Sequence, residues 1–462
     1  MKNFLQDLVR KSPGFLEIRY HKRSSSSYMV QKGRVDVANH SEVGGVGIRA
    51  LENGVWGFAA TSDLSEAGLK KAVDTAVASA KTLLAIRGPG KIKLEKGALS
   101  QEDFVGPGYD ELKNMPVADK LSDIVKFESQ LAKAASKIQS ARCRYKEITE
   151  EKIVITSDGA AASLKLVQPE VALSAIAEKD GAQVSSYRAA GVNGGWQCLY
   201  DHPSLDNMVD ATAQLAVDLL DAKFPEGGQK RVILAPAVVG LLCHEAIGHT
   251  VEADFVKSGS VAQGKIGTMV GSPLVNINDS GRENLAGYAV GNIPFDDEGV
   301  ATQNTKIIEN GKLVSYLHNR ETAQEFGVKP TGNARAWLYN DEPIIRMRNT
   351  YLEPGSQSLD DMIREMDEGY LVDGAGGGQA DANGEFMFGC GHVWRIKSGK
   401  KVELLREATL SGIAFDVLKT VDAVSKEFLW DLGTGYCGKG QPAKVDAGGP
   451  YVRCKLHIGG RS

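Results

Sequence analysis

Leu241-Leu242-Cys243-His244-Glu245-Ala246-Ile247-Gly248-His249-Thr250-Val251-Glu252-Ala253-Asp254-Phe255 holds two of the eight histidines of this chain, with a glutamate directly after the first. The apolar run Val232-Ile233-Leu234-Ala235 leads into it and reads as a buried strand. Pro236 suits the first turn of a helix, where a missing N–H costs nothing. Ala237 to Ile247 is mostly apolar, so the spacing predicts a buried helix. Such a helix has little use for two imidazoles and a carboxylate unless something binds them. Imidazole ligates zinc, and a neighbouring glutamate can serve as general base towards an attacking water. The histidines stand at i and i+5, which a regular α-helix separates by roughly 140°. Gly248 tolerates distorted backbone. A π-bulge or helix break at Ile247-Gly248 is therefore expected, bringing His249 round towards His244.

A catalytic zinc usually takes three protein ligands and leaves one position open. The six cysteines, Cys143, Cys198, Cys243, Cys390, Cys437 and Cys454, form no Cys-x-x-Cys pair. Cys437 lies among glycines in Gly433-Thr434-Gly435-Tyr436-Cys437-Gly438-Lys439-Gly440, where the backbone can turn tightly. Cys390 sits in Gly389-Cys390-Gly391-His392. Spacing alone leaves the choice between these two open. Just past the motif, Glu252 or Asp254 is a candidate to accept the second N–H of a ligating histidine, with Asp254 slightly favoured. Arg335 and Arg346 are candidates for holding a substrate carbonyl or carboxylate. Asp296-Asp297-Glu298 reads as a turn with one functional side chain, because three adjacent carboxylates cannot all point inward on a strand.

Working outward, the second half carries many short strands with glycine turns, including the Asn310-Gly311 hairpin between Ile307 and Val314. Gly374-Ala375-Gly376-Gly377-Gly378 lacks the residues of a phosphate cradle and reads as a close-packed turn beside the site, or a loop along which a peptide runs. Phe415 to Phe428 is expected to be a late helix, and the Cys437 loop must fold back onto the motif helix. Upstream, Phe15 to Tyr20 and Ser27 to Val37 are expected strands joined by a Lys/Arg/Ser turn, with Ser24 to Ser27 solvated. Asn53-Gly54 between two apolar runs predicts a hairpin. Thr61-Ser62-Asp63 offers an N-cap for a helix over Leu64 to Leu84, whose Leu69, Ala72, Val73, Ala76, Val77 and Ala80 form one stripe. Helices over Leu121 to Ala135 and Leu205 to Leu220 flank strands over Ser140 to Thr149, Glu151 to Thr156, Leu164 to Ala177 and Ala182 to Ala189.

The expected fold is α+β in two domains. Residues 1–224 make an N-terminal α/β layered domain, with 1–85 and 116–224 as candidate sub-units. Residues 225–462 make a mostly antiparallel, β-rich domain carrying the metal-site helix, and Pro225-Glu226-Gly227-Gly228 is the boundary. The chain has 462 residues, net charge −4 and 52 glycines. Its isoelectric point of about 6.1 offers no basic surface for nucleic acid. No segment approaches 18 apolar residues, so no membrane span is expected. Scattered cysteines and a start without an apolar core lead to the expectation of a cytoplasmic protein.

His244-Glu245-Ala246-Ile247-Gly248-His249 followed by Glu252-Ala253-Asp254-Phe255 resembles the TldD/PmbA family of metalloproteases. So do Asp296-Asp297-Glu298-Gly299, Thr331-Gly332-Asn333-Ala334-Arg335, Arg346-Met347-Arg348-Asn349-Thr350 and Tyr436-Cys437-Gly438-Lys439. Order and spacing are similar to the TldD branch, since the PmbA (TldE) branch lacks the His-Glu-x-x-x-His motif. The resemblance implies one zinc per chain held by His244, His249 and Cys437, with Glu245 as catalytic base. It also implies unfolded or extended peptide substrates, in a chamber formed by a homodimer or by a heterodimer with a PmbA/TldE-like subunit. The competing expectation is a non-catalytic modulator or scaffold subunit of such a complex.

Overall fold

Long strands build the first layer. The structure, a computed structural model, describes residues 1–201, 207–282, 288–431 and 433–459. Phe15–Gln31 runs antiparallel to Arg34–Glu52, from Phe15↔Leu51 to Gln31↔Arg34. The chain reverses at Lys32-Gly33, both with positive φ (52° and 68°), as a tight hairpin requires. Two strands joined by a turn near Ser24 were expected, but one strand passes straight through. The polar residues His21 and Arg23 point inward and both meet Glu150 on the neighbouring strand. Held by a buried carboxylate in this way, they do not interrupt the strand pairing. The Asn53-Gly54 hairpin is present, with φ of 46° and 77°.

Helix Glu66–Arg87 is capped by Ser65, whose hydroxyl accepts from the Gly68 N–H, rather than by the Thr61-Ser62-Asp63 segment. It buries Leu69, Ala72, Ala76 and Ala80. The expected pair of strands at 140–156 is one strand, Ile138–Thr156. It pairs with Phe15–Gln31 on one side and Ala161–Lys179 on the other. Strands from 1–85 and from 116–224 therefore share a single seven-stranded sheet. Helices Val117–Lys133 and Met208–Asp218 pack on its later strands around Ile124, Leu131, Leu173 and Ala213. Of the helix expected over 205–220, residues 205–206 lie outside the described residues.

The second sheet closes on itself. Gly228–Leu234 pairs in parallel with Glu368–Ala380 and antiparallel with Pro442–Gly459. Glu385–Lys397 and Ala408–Ile413 complete a five-stranded ring. Further strands, including the Asn310-Gly311 hairpin, extend from Pro442–Gly459 through Asn349–Leu352 and Ile277–Ser280. The architecture is α+β, and antiparallel pairing dominates the second sheet. The expected late helix is short, Ala414–Lys419. From Ala423 the β-branched and aromatic run to Trp430 becomes a strand against Pro442–Gly459. The Gly374–Gly378 segment is strand rather than turn, with an irregularity between Ala375 and Gly378.

Asp296-Asp297-Glu298 is a turn, as expected, and all three of its carboxylates are buried. The alternation that forbids this on a strand does not apply in a turn, and Gly299 closes that turn at φ 77°. Asp296 accepts N–H groups of Glu298, Val300 and Ala334. Asp297 meets Lys152, and Glu298 meets Arg49. The turn thus keys the second sheet onto charged residues of the first. No helix among the described residues is long and apolar enough to cross a membrane.

Candidate metal centre

Strand Gly228–Leu234 delivers the chain to helix Pro236–Leu241, every residue of which is buried. The next turn widens into a π-helix over Leu242–Gly248, followed by a 3₁₀ turn at His249–Val251. The His249 N–H donates to the His244 carbonyl, so the two histidines are themselves the ends of one i→i+5 bond. That wider turn brings their side chains together edge to face, with ring centroids 5.3 Å apart. Gly248 has ordinary helical angles (φ −54°, ψ −51°). Its lack of a side chain serves packing instead: a Cβ there would lie 1.8 Å from the Met347 sulfur.

Cys437 sits on the short strand Gly435–Gly438, which forms a hairpin with the start of Pro442–Gly459. Its Sγ lies 3.0 Å from His249 Nε2. Ligand atoms of His244, His249 and Cys437 all fall within 4.8 Å of one another. His244 is 2 % exposed, and both its ring nitrogens are buried without a hydrogen-bond partner. An imidazole left this way costs free energy unless something ligates it. Burial pushes the Cys437 thiol up, but His244 and His249 beside it outweigh burial and bring it down to about 4. For His249, burial is likewise outweighed, by Cys437 and Glu252, and the ring is raised to about 10. Two imidazoles and a sulfur at this separation are a donor set that would suit zinc in kind and in reach.

Cys390 is not part of the cluster. Its thiol donates to the Ala408 carbonyl, and burial pushes it up to about 12, the mark of an inert thiol. Glu252, rather than the favoured Asp254, partners the histidine: His249 Nδ1 is 3.0 Å from its Oε2. Asp254 instead pairs with Lys439. Glu245 takes no part in the cluster of nitrogens and sulfur. Its Oε2 stands 3.8 Å from His249 Nε2 and faces a cavity of about 490 Å³ lined also by Phe255, Gln379, Tyr436, Cys437 and Lys439.

The two arginines lie elsewhere. Arg335 donates to the carbonyls of Met347 and Lys444. Arg346, fully buried, donates to those of Cys437 (2.8 Å) and Gln441 (2.6 Å). Neither lines the cavity beside Glu245, and through these bonds both brace the Cys437 hairpin. Lys439 went unread in the sequence, though it stands two residues from Cys437 in the quoted segment.

Models of all three domains described for the PmbA/TldA metallopeptidases match the chain: domain 1 at 16–80, the central domain at 110–220 and the C-terminal domain at 227–460. This chain belongs to the TldD/PmbA family. A TldD/PmbA relative from Methanothermobacter thermautotrophicus, named a metalloprotease, is 32 % identical over 96 % of this chain and 94 % of its own. A Saccharolobus solfataricus protein, named a zinc metalloprotease TldD homolog, is 29 % identical with complete coverage of both chains. The crystal structure of TldE from Thermococcus kodakarensis superposes with a TM-score of 0.80 at 20 % identity, covering 99 % of this chain and 100 % of that one. The TldD/PmbA fold thus extends over the whole described chain.

Proposed function

We propose that this chain is a zinc-dependent peptidase that hydrolyses unfolded or extended peptides. The observation that carries the reading is the buried, unpartnered His244 ring beside His249 and the Cys437 sulfur. The names of the relatives support it in kind. His244, His249 and Cys437 would hold the ion, and Glu252 would orient His249 through Nδ1. Zinc held there supplies Lewis acidity and brings the pKa of a water towards about 7. Glu245, reaching the cavity from the residue after His244, takes the proton of the attacking water and delivers it to the leaving amine. The open cavity beside strand Glu368–Ala380 suits an extended chain better than a folded one.

The working assembly in this reading is cytoplasmic and has two subunits, a second copy or a TldE-like chain. A TldE chain of the same fold could pair with this one about an approximate twofold. The chain divides in this reading at Pro225-Gly228, into residues 1–224 and 225–462. The test is metal analysis of purified protein, alone and with such a partner, followed by digestion of a varied pool of unstructured peptides. We expect about one zinc per chain and cleavage of the pool. Zinc without cleavage in the complete assembly would favour the non-catalytic scaffold; protein that takes up no zinc would overturn the reading.

A further inference from the structure

Lys439 lines the cavity beside Glu245, where a lysine invites a role in gripping substrate. Its surroundings argue otherwise. An ammonium group has three N–H donors. Its Nζ donates to Asp254 Oδ1 at 2.8 Å and to the Ile345 carbonyl at 3.1 Å, and it forms an ion pair with Glu252 Oε2 at 3.2 Å. It also stands 4.3 Å above the Phe255 ring, and its side chain is 11 % exposed. These contacts turn the ammonium group towards the protein.

What these contacts join is more informative. Lys439 occupies the tip of the Cys437 hairpin. Glu252 follows the 3₁₀ turn at His249–Val251, and Asp254 stands in the first turn of the next helix, Ala253–Lys257. Ile345 starts the segment whose Arg346 bonds the Cys437 carbonyl and whose Met347 packs on Gly248. One side chain therefore ties together the two elements that carry the sulfur and the second histidine. Glu252 is 0 % exposed, and its Oε1 is buried with no partner. Its Oε2 is shared between His249 Nδ1 and Lys439. Among the described residues, Lys439 is the one lysine or arginine paired with this buried carboxylate. Burial of such a group requires a counter-charge.

We propose that Lys439 is a positioning residue for the metal centre: it latches the Cys437 hairpin to the His249–Asp254 segment and fixes Glu252 against His249 Nδ1, so that Nε2 points at the ion. The inference rests on the zinc reading given above. It assigns Lys439 no contact with substrate or with the ion.

The test compares wild type, Lys439→Met and Lys439→Arg in three measurements. These are zinc affinity by competition with a chromogenic chelator, amide hydrogen exchange of the metal-free proteins, and peptide hydrolysis by the complete assembly. Loss of a group that orients a metal ligand typically costs about 10–100-fold in affinity. Lys439→Met should lose zinc affinity in that range and exchange faster over residues 435–441. When zinc-saturated, it should show a lowered kcat with KM unchanged. Lys439→Arg should recover most of both losses. Folded Lys439→Met with wild-type zinc affinity and wild-type exchange would overturn the proposal, as would a rise in KM alone. If Lys439→Met does not fold, Asp254→Ala removes both oxygens that face Lys439 at a half-exposed position; no change in affinity or exchange there would be equally fatal. A wild type that binds no zinc would sink the zinc reading, while the exchange comparison would still decide whether the latch exists.

Discussion

At the scale of single residues, Glu245 and Cys437 separate catalysis from ligation. Glu245→Gln is nearly isosteric and removes a proton acceptor without touching a ligand. It should keep zinc and fold, and lose about 10²–10⁴-fold in peptide cleavage, the usual worth of general-base catalysis. Wild-type turnover by the zinc-loaded variant would dismiss Glu245 as the base. The same cluster fixes a pH dependence. In the metal-free chain the thiol of Cys437 is held near 4 and the ring of His249 near 10. The pair is therefore thiolate and imidazolium around neutrality, and loading a cation must expel the His249 proton. Apparent zinc affinity should rise by about tenfold per pH unit through the neutral range as that proton becomes easier to remove. Chelator competition at several pH values checks this; a flat profile would mean that His249 is already neutral in the free protein.

At the scale of the element, the π-turn is what allows histidines five apart to share one ion, and packing explains its Gly248 and the Gly240 of the helix before it. Gly248→Ala would press a Cβ into the Met347 sulfur, at 1.8 Å in the unrelaxed geometry. Overpacking of this kind costs about 1–3 kcal/mol. Because the obstacle is the end of a flexible side chain, Met347→Ala should recover part of that loss in the double variant. Gly240 offers the contrast. A Cβ there meets the backbone of Ala447 and Gly448 at 2.8–3.1 Å, which no side-chain change can relieve. Urea denaturation of the four proteins, wild type, Gly248→Ala, Met347→Ala and the double variant, measures the coupling. Strictly additive losses would show that Met347 is not what excludes a side chain at position 248.

At the scale of the whole molecule, the two sheets meet through buried charge. Arg49 bonds Glu17 within its own sheet (2.8 Å) and Glu298 of the other (2.8 Å). Burial raises the Glu17 carboxyl, and Arg49 opposes that rise. Lys444 meets Glu170, and Lys152 meets Asp297, across the same boundary. Arg49→Leu would leave two carboxylates buried against one another without their cation. The expected loss is about 3–5 kcal/mol, the range for removing one partner of a buried pair. Screening by salt reaches buried pairs poorly, so the loss should persist at high ionic strength. Denaturation at low and high salt checks both statements; a small, salt-sensitive change would place the pair in solvent.

The His-Glu-x-x-x-His spacing, the Asn-Gly hairpins and the strand leading into Pro236 were legible because each is local: a backbone period, a turn that needs positive φ, an imidazole pair on an apolar helix. Even the need for a distorted turn could be read, since five residues do not fit one face of an α-helix. Interruptions of long strands were misjudged for the complementary reason. Ser24–Ser27 looks like a turn until Glu150, 120 or more residues away, is seen to satisfy the polar groups that point inward around it. The same distance hid the choice of cysteine. Residue spacing ranks Cys390 and Cys437 alike, and only strand pairing places one thiol against a backbone carbonyl and the other between two imidazoles. Arg346 and Lys439 took their places by the same rule. A side chain's chemical kind is written in the sequence, but its partner is chosen by the long-range register of the sheet. That register is set by the burial of apolar faces, which no short stretch of chain contains.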